Sequence, residues 1–375
     1  MKTQDNARQW GEPLWQPRRL TSVTEPIPRA IDVAIIGGGL TGMSAAFHLA
    51  CGGLRAVVFE KASVGNGASG RTGGIVLEGT ATGIRPGAET CVPALARLVE
   101  ELGIGCDLHL PGCWEIEHQP GSGGSALPWI DGGNPIRIAR TVAGGSVEPR
   151  ALLFGLAEAA QRRGAVIREH TAVRKIRLHD PAVEVDGAVI AAAHIVVAVN
   201  AWVSSLLPGL PQIHSALTYA CATEPLPDHI LCELGLGEHI PFYTADRPYL
   251  WGRVAAQGEI VFGAGLKYGV PQALEQDGID SGGAQAILQE LTRRVRELNP
   301  VLARVRIPSK WTGPIAFTDQ ALPLIGAYPP NSAILIAAAY AGHGVAFSVH
   351  AGALIASAIL HDTALPEWGA IAGQP

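Results

Sequence analysis

Ile31-Asp32-Val33-Ala34-Ile35-Ile36-Gly37-Gly38-Gly39-Leu40-Thr41-Gly42 decides the fold, together with the second apolar run Ala56-Val57-Val58-Phe59-Glu60. The pattern predicts a strand, a glycine turn, a helix and a second strand ending in an acid, the crossover of a Rossmann-like dinucleotide-binding unit. Gly37 permits the tight turn, Gly39 lets backbone approach a pyrophosphate, and Gly42 lets the helix that begins at Leu40 and Thr41 pack closely on the strand. Unpaired amides and a partial positive charge at the helix start suit the phosphates. Glu60, with Lys61 beside it, is placed to accept hydrogen bonds from a ribose diol.

A second glycine-rich run follows, Gly65-Asn66-Gly67-Ala68-Ser69-Gly70-Arg71-Thr72-Gly73-Gly74-Ile75. A nicotinamide enzyme would resume its alternation of strand and helix here, so the interruption points to a longer cofactor. Ala68, Ser69, Arg71, Thr72, Gly73 and Gly74 are read as lining its pyrophosphate and ribityl chain: glycines free backbone amides, Ser69 offers a hydroxyl and Arg71 a cation.

With these motifs the chain resembles the FAD-dependent amine and amino-acid oxidases of the D-amino-acid oxidase superfamily. The run Gly67 to Gly74 is similar to that of gamma-glutamylputrescine oxidase-like members. Thr171-Ala172-Val173 resembles the strand whose valine backbone touches adenine, and Asn200-Ala201-Trp202 joins the same cofactor-binding set. Trp311 through Gly326 resembles the strand pair near the flavin, and Ala341-Gly342-His343-Gly344-Val345 the start of the closing helix. The resemblance covers about residues 31 to 360. It implies an α/β (α+β overall) architecture of the glutathione-reductase-2-like type, with a Rossmann-like FAD-binding domain and a second, antiparallel-sheet substrate domain. It also implies oxidation of a primary or secondary amine, or an amino acid, to an imine. Molecular oxygen then reoxidises the flavin and hydrogen peroxide is released. Amides of Gly344 and Val345 are expected at the flavin N1–C2=O edge, Gly342 and Ala346 join the cofactor-binding set, and His343 is a flavin contact or base.

Departures from the family qualify this expectation. Sarcosine oxidases tether FAD through a cysteine where this chain has Ile315 and Ala316, so FAD is expected to be non-covalent. The carboxylate-binding arginine of glycine and D-amino-acid oxidases is missing at about the same point, and Ala346 replaces a cationic residue after the Gly-His-Gly turn. Either the substrate lacks an α-carboxylate, or Arg253 binds it from the opposite wall.

In Tyr249-Leu250-Trp251-Gly252-Arg253, alternation puts Tyr249, Trp251 and Arg253 on one strand face. That face lines the substrate pocket or belongs to the core, with Arg253 in a structural ion pair. Lys267 stands in the apolar strand Ile260 to Gly269. In sarcosine oxidase-like enzymes a lysine in a similar Gly-Leu-Lys context sits over the flavin and promotes its reaction with oxygen. The same position also suits a solvent-facing lysine.

Residues 1–30 are expected as an arm whose Trp10 and Trp15 pack on the body. The FAD-binding domain is then discontinuous, 31–75 with 146–202 and 316–375, and the substrate domain comprises 76–145 with 203–315. Residues 119–134, rich in glycine and proline, are read as a mobile loop. The chain has 375 residues with 28 basic and 33 acidic side chains, a net charge of -5, which gives no reason to expect nucleic acid as partner. Its six cysteines show neither zinc spacing nor a disulfide framework. The apolar stretch 333–360 is expected to be a strand, a turn and a core helix rather than a membrane span, and without an apolar leader the default location is cytoplasmic. Rival readings are a dehydrogenase or hydroxy-acid oxidase on the same scaffold, and a flavin-containing subunit with little activity alone.

Overall fold

The computed structural model describes residues 9–21, 26–118 and 125–371. Two eight-stranded sheets organise the chain. The first runs in the order Leu324–Tyr328, Asn331–Ala338, Ala188–Val197, Ala30–Ile36, Ala56–Phe59, Val166–Arg168, and Ala182–Val185 and Val173–Arg177 extend it from Ala188–Val197. Its central strands pair in parallel. They are apolar at nearly every position because both faces are covered. Val33, Ile35 and Val58 face a core built with helices Leu40–Cys51, Cys91–Leu102, Pro149–Arg162 and Gly344–His361. Ala34, Ile36 and Val57 face a second core that includes Val183, Val203 and Leu207.

The second sheet has the order Ser309–Thr318, Ile213–Ala222, Ile260–Tyr268, Trp251–Val254, Phe242–Thr244, Cys113–Glu117, Asn134–Val142, Ala126–Asp131. It is antiparallel except where Phe242–Thr244 meets Cys113–Glu117. Helix Gly282–Leu298 covers one face, packing Leu291, Val295 and Leu298 against Phe242 and Phe262. The expected boundary between residues 315 and 316 falls inside strand Ser309–Thr318, which pairs along its length with Ile213–Ala222.

The loop expected over 119–134 needs correction. Residues 119–124 lie outside the described residues, but Ala126–Asp131 and Asn134–Val142 are strands joined by Gly132 and Gly133, both at positive φ. Alternation outweighs the glycine and proline content there: Leu127, Trp129 and Asp131 are buried while their neighbours are exposed.

The amino-terminal arm packs as expected, with Trp10 and Trp15 buried. Helix Gly344–His361 is long and apolar enough to cross a membrane by length and composition, but its inner face is used in the core. Gly352 touches helix Leu40–Cys51 so closely that a Cβ there would lie 2.6 Å from the Thr41 carbonyl oxygen.

Candidate active site

The first glycine turn is built by exclusion. Gly37 has φ +110, and a Cβ would lie 2.5 Å from the Ala198 carbonyl oxygen. A Cβ on Gly39 would lie 2.9 Å from Ser69 Oγ, and that oxygen accepts the Leu40 amide at 3.0 Å. The two glycine runs therefore clasp each other at the helix start. The Glu60 carboxylate accepts the Gly38 amide at 2.8 Å and the Ala62 amide at 2.9 Å. Burial pushes its pKa up against the pull of those two bonds. Thr171 donates its amide to the Glu60 carbonyl at 2.8 Å, which brings the segment leading into Val173 alongside.

A second helix start meets the first. After strand Asn331–Ala338 the backbone takes three left-handed steps, Ala339 at φ 61, Ala341 at φ 50 and Gly342 at φ 88. Such steps cost on the order of 1 kcal/mol or more each for residues other than glycine and persist only where neighbours impose them. Asn200 Oδ1 accepts the Ala339 amide at 2.8 Å, and the Ala316 carbonyl accepts the Ala341 amide at 3.0 Å. Tyr340 Oη and Thr41 Oγ1 share a hydrogen bond of 2.6 Å, so the starts of helices Leu40–Cys51 and Gly344–His361 open into one cleft. His343 is the N-cap of the latter. Burial lowers its pKa, and its Nδ1 has no partner among the described residues.

The opposite wall is a row across the second sheet. Trp311, Ala220, Gly263, Trp251, Tyr243, Glu115 and Arg140 are successive register neighbours, so their side chains share one face. The Trp251 indole fills the space that Cβ atoms on Gly73 and Gly263 would need, 2.5 and 2.7 Å from its Cη2. The Tyr243 ring stands 6.5 Å from the His343 ring, nearly perpendicular. These two contacts aim the row at the glycine run and at the second helix start. Tyr243 Oη donates to Glu115 Oε2 at 2.9 Å, and Arg140 Nη2 donates to the same oxygen at 2.8 Å. The bond from Arg140 is the largest of the effects that hold the Glu115 pKa down. Tyr249, two residues before Trp251 in the chain, is 44% exposed; desolvation, then Cys113, pushes its phenol up to about 12. The sequence reading missed Glu115 and Tyr243. Alternation in Cys113-Trp114-Glu115-Ile116-Glu117 was the available signal, since Ile116 is buried toward the helix side and Glu115 must face the other way.

The family model for FAD dependent oxidoreductases (DAO) matches residues 32–358. The chain belongs to this family. It is 28% identical to gamma-glutamylputrescine oxidoreductase of Escherichia coli over 376 residues, covering 88% of this chain and 84% of that protein. It is also 28% identical to glycine oxidase of Bacillus licheniformis over 369 residues, covering 90% and 95%. The fold matches glycine oxidase from Geobacillus kaustophilus with a TM-score of 0.73 at 21% identity, covering 92% of this chain and 98% of that one. As a family member the protein is an FAD-dependent oxidoreductase of the amine and amino-acid oxidase type.

The cleft fits FAD on its own terms: two close-approach glycine turns, a half-buried carboxylate beside the first, and two convergent helix starts. Gly73 and Gly74 run along the cleft, Thr72 Oγ1 accepting the Gly74 amide at 3.4 Å, and Ala68 supplies the carbonyl that accepts the Arg71 and Thr72 amides. Arg71 is buried, donates to the Gly11 carbonyl at 2.6 Å and lies 5.5 Å over the Trp10 ring, so the arm locks it beneath the glycine run. Lys61 pairs with Glu275 and lies 4.6 Å over the Trp202 ring. Ala201 is buried beside Trp202. Gly344 and Val345 open the last helix, and Ala346 is buried in its first turn.

Two expectations are corrected. Arg253 shares the cleft face, but its Nε donates to the Gly73 carbonyl at 2.5 Å, its Nη1 to the Val254 carbonyl at 3.2 Å, and Trp15 stacks over it at 4.7 Å, leaving Nη2 without a partner among the described residues. Burial lowers its pKa to about 10. It supports the glycine run from behind. Lys267 pairs with Asp277 Oδ2 at 2.5 Å and is the register partner of Leu217, which packs with Leu274 and Ala284 of the covering helices. The lysine is thus on the face turned away from the cleft.

Proposed function

We propose that this protein oxidises the C–N bond of a primary or secondary amine to an imine, with molecular oxygen as electron acceptor, hydrogen peroxide as product and FAD held without a covalent link. One observation carries the amine reading. Both familiar carboxylate anchors are absent, with Ile315 and Ala346 in their places, Arg253 is committed through Nε to the Gly73 carbonyl, and the charged group nearest His343 along the sheet row is Glu115, an acid. An unpaired carboxylate in this cleft would be costly to bury.

FAD, when bound, supplies the two-electron acceptor. The side chains do the rest by placement and exclusion of water. Trp251 and Tyr243 give a flat aromatic wall, His343 kept neutral by burial avoids repelling a cationic substrate, and Tyr243, kept protonated by burial and Glu115, ties that wall to the carboxylate. The second helix start offers amides where negative charge develops. Residues Ile315 and Ala316 provide no thiol for a covalent tether.

The place of Lys267 favours one alternative, a dehydrogenase that passes electrons to another acceptor, because the cation expected to speed reaction with oxygen points away from the cleft. Anaerobic mixing of the yellow holoenzyme with a panel of amines, polyamines and N-methyl amino acids tests the reaction. Bleaching by amines that lack an α-carboxylate is expected, and readmitted air restores the colour within seconds if oxygen is the acceptor. Bleaching by α-amino acids alone would overturn the amine reading.

A further inference from the structure

A buried charged cluster lies behind the cleft wall, on the helix-covered side of the second sheet. His118 Nδ1 is 2.6 Å from Asp246 Oδ1 and its Nε2 is 2.7 Å from Asp131 Oδ2. Arg294 reaches Asp131 through Nε at 2.9 Å and Nη2 at 2.5 Å. Its two ends also donate to the backbone carbonyls of Tyr249 at 2.8 Å and Pro248 at 2.7 Å. The side chains of His118, Asp131 and Arg294 are 7%, 3% and 12% exposed. Burial works to raise the pKa of Asp131, but the hydrogen bonds from Arg294 and His118 prevail and hold it low.

We propose that this cluster is a positioning device that sets Tyr249 in the cleft wall; only its kinetic arm rests on the amine-oxidation reading. Residues 245–250 join strands Phe242–Thr244 and Trp251–Val254, the two strands that carry Tyr243 and Trp251. Asp246 anchors the start of this loop by accepting the His118 amide at 3.0 Å as well as the ring, and Arg294 anchors its end. Asp131, on a different hairpin, ties the two anchors together. The His118 ring is held between the two carboxylates, and Arg294 brings a guanidinium to the inner one. Buried charge clusters of this kind are seldom the most stabilising packing, and their best-attested use is to specify one arrangement. Here the arrangement specified is the path of the loop that presents Tyr249 beside Trp251.

The test is Arg294→Met in the FAD-loaded enzyme, a change that keeps an aliphatic stem on the helix and removes only the fork. Hydrogen exchange should show residues 244–250, which include the Ala245 and Leu250 amides bonded to Ile116 and Thr244, losing protection at least ten-fold while strand Ile260–Tyr268 keeps its own. KM for the amine that bleaches the flavin should rise at least five-fold with kcat within three-fold. His118→Gln, which can donate to only one of the two carboxylates, should give the same split and serves if the first variant does not fold. Unchanged protection of the loop, or lost protection with KM unchanged, overturns the proposal. If no amine reduces the flavin of the unmodified enzyme, the reaction assignment fails separately and loop protection alone decides this one.

Discussion

The hydrogen bond between Thr41 Oγ1 and Tyr340 Oη, 2.6 Å long, joins the two helix starts that converge on the cofactor cleft. Thr41 is 5% and Tyr340 8% exposed, so neither hydroxyl has ready access to water. Tyr340→Phe leaves the threonine hydroxyl buried without its partner, and Thr41→Val does the converse; each should cost about 1–3 kcal/mol, the penalty for a stranded buried polar group. The double variant strands nothing and should cost less than the sum of the singles by about 1–2 kcal/mol. Denaturant midpoints of the FAD-loaded protein measure the cycle, and fluorescence of released flavin measures cofactor affinity in the same four proteins. Because the bond sets the relation between the two helix starts, each single variant should also weaken FAD binding by about ten-fold, equivalent to roughly 1.4 kcal/mol. Costs that simply add in the double variant, or flavin affinity unchanged in both singles, would refute the claim that this contact holds the cleft together.

Gly263→Ala should lower stability by about 1–3 kcal/mol and tilt Trp251 off Gly73, because the new methyl group would occupy space held by the indole; loss of near-ultraviolet tryptophan dichroism with retained far-ultraviolet signal would report it. Asp131→Asn should destabilise the protein by about 3 kcal/mol at neutral pH, since it breaks a buried charged pair. The folded-state pKa of Asp131 lies below its unfolded value, so its contribution is present above the ordinary aspartate range and lost as pH falls through the folded value; the gap between wild type and variant in thermal scans should therefore close toward low pH. Lys267→Met should leave the rate of flavin reoxidation by air within two-fold of wild type in stopped-flow absorbance, because the ammonium is paired with Asp277 away from the cleft.

Much of the cofactor half was legible because its signals are local. Gly37 turns the chain through its own φ of +110, Gly42 packs on the Gly37 carbonyl, and Glu60 ends the very next strand, so spacing alone ordered the turn, the helix and the acid; the Ala198 and Ser69 atoms that Gly37 and Gly39 make room for come from far along the chain. The last helix start was legible for the same reason: a glycine turn interrupts an apolar run, and the run is buried. The arm needed no period at all, only two tryptophans too large to leave in water, both of them buried. The substrate wall was harder to read because its residues meet across strands. Glu115 and Tyr243 are more than a hundred residues apart and become neighbours only through the one parallel pairing in the second sheet. Arg253 was placed on the right face, but what covers it, the Trp15 ring, comes from the arm, and nothing near Arg253 in sequence announces that.

Lys267 shows how a single residue can invert an otherwise sound inference. Counting by twos from Val261 and Gly263, which pair with Arg253 and Trp251 on the cleft face, puts Lys267 on that face as well. Gly265, at φ +78, breaks the count: opposite Thr218 and Tyr219 the register jumps, so that Ala264 pairs with Tyr219 and Leu266 with Thr218. One extra residue in a strand moves every later side chain to the other side. The lysine therefore turns toward Asp277 and the covering helices, and Leu266 takes the cleft side in its place. A Cβ at Gly265 would press within 2.6 Å of Ile287 Cγ2, so both the handedness and the crowding of the bulge call for glycine. The same glycine that made Gly-Leu-Lys look like an oxygen-activating motif is the reason its lysine points away from the cleft.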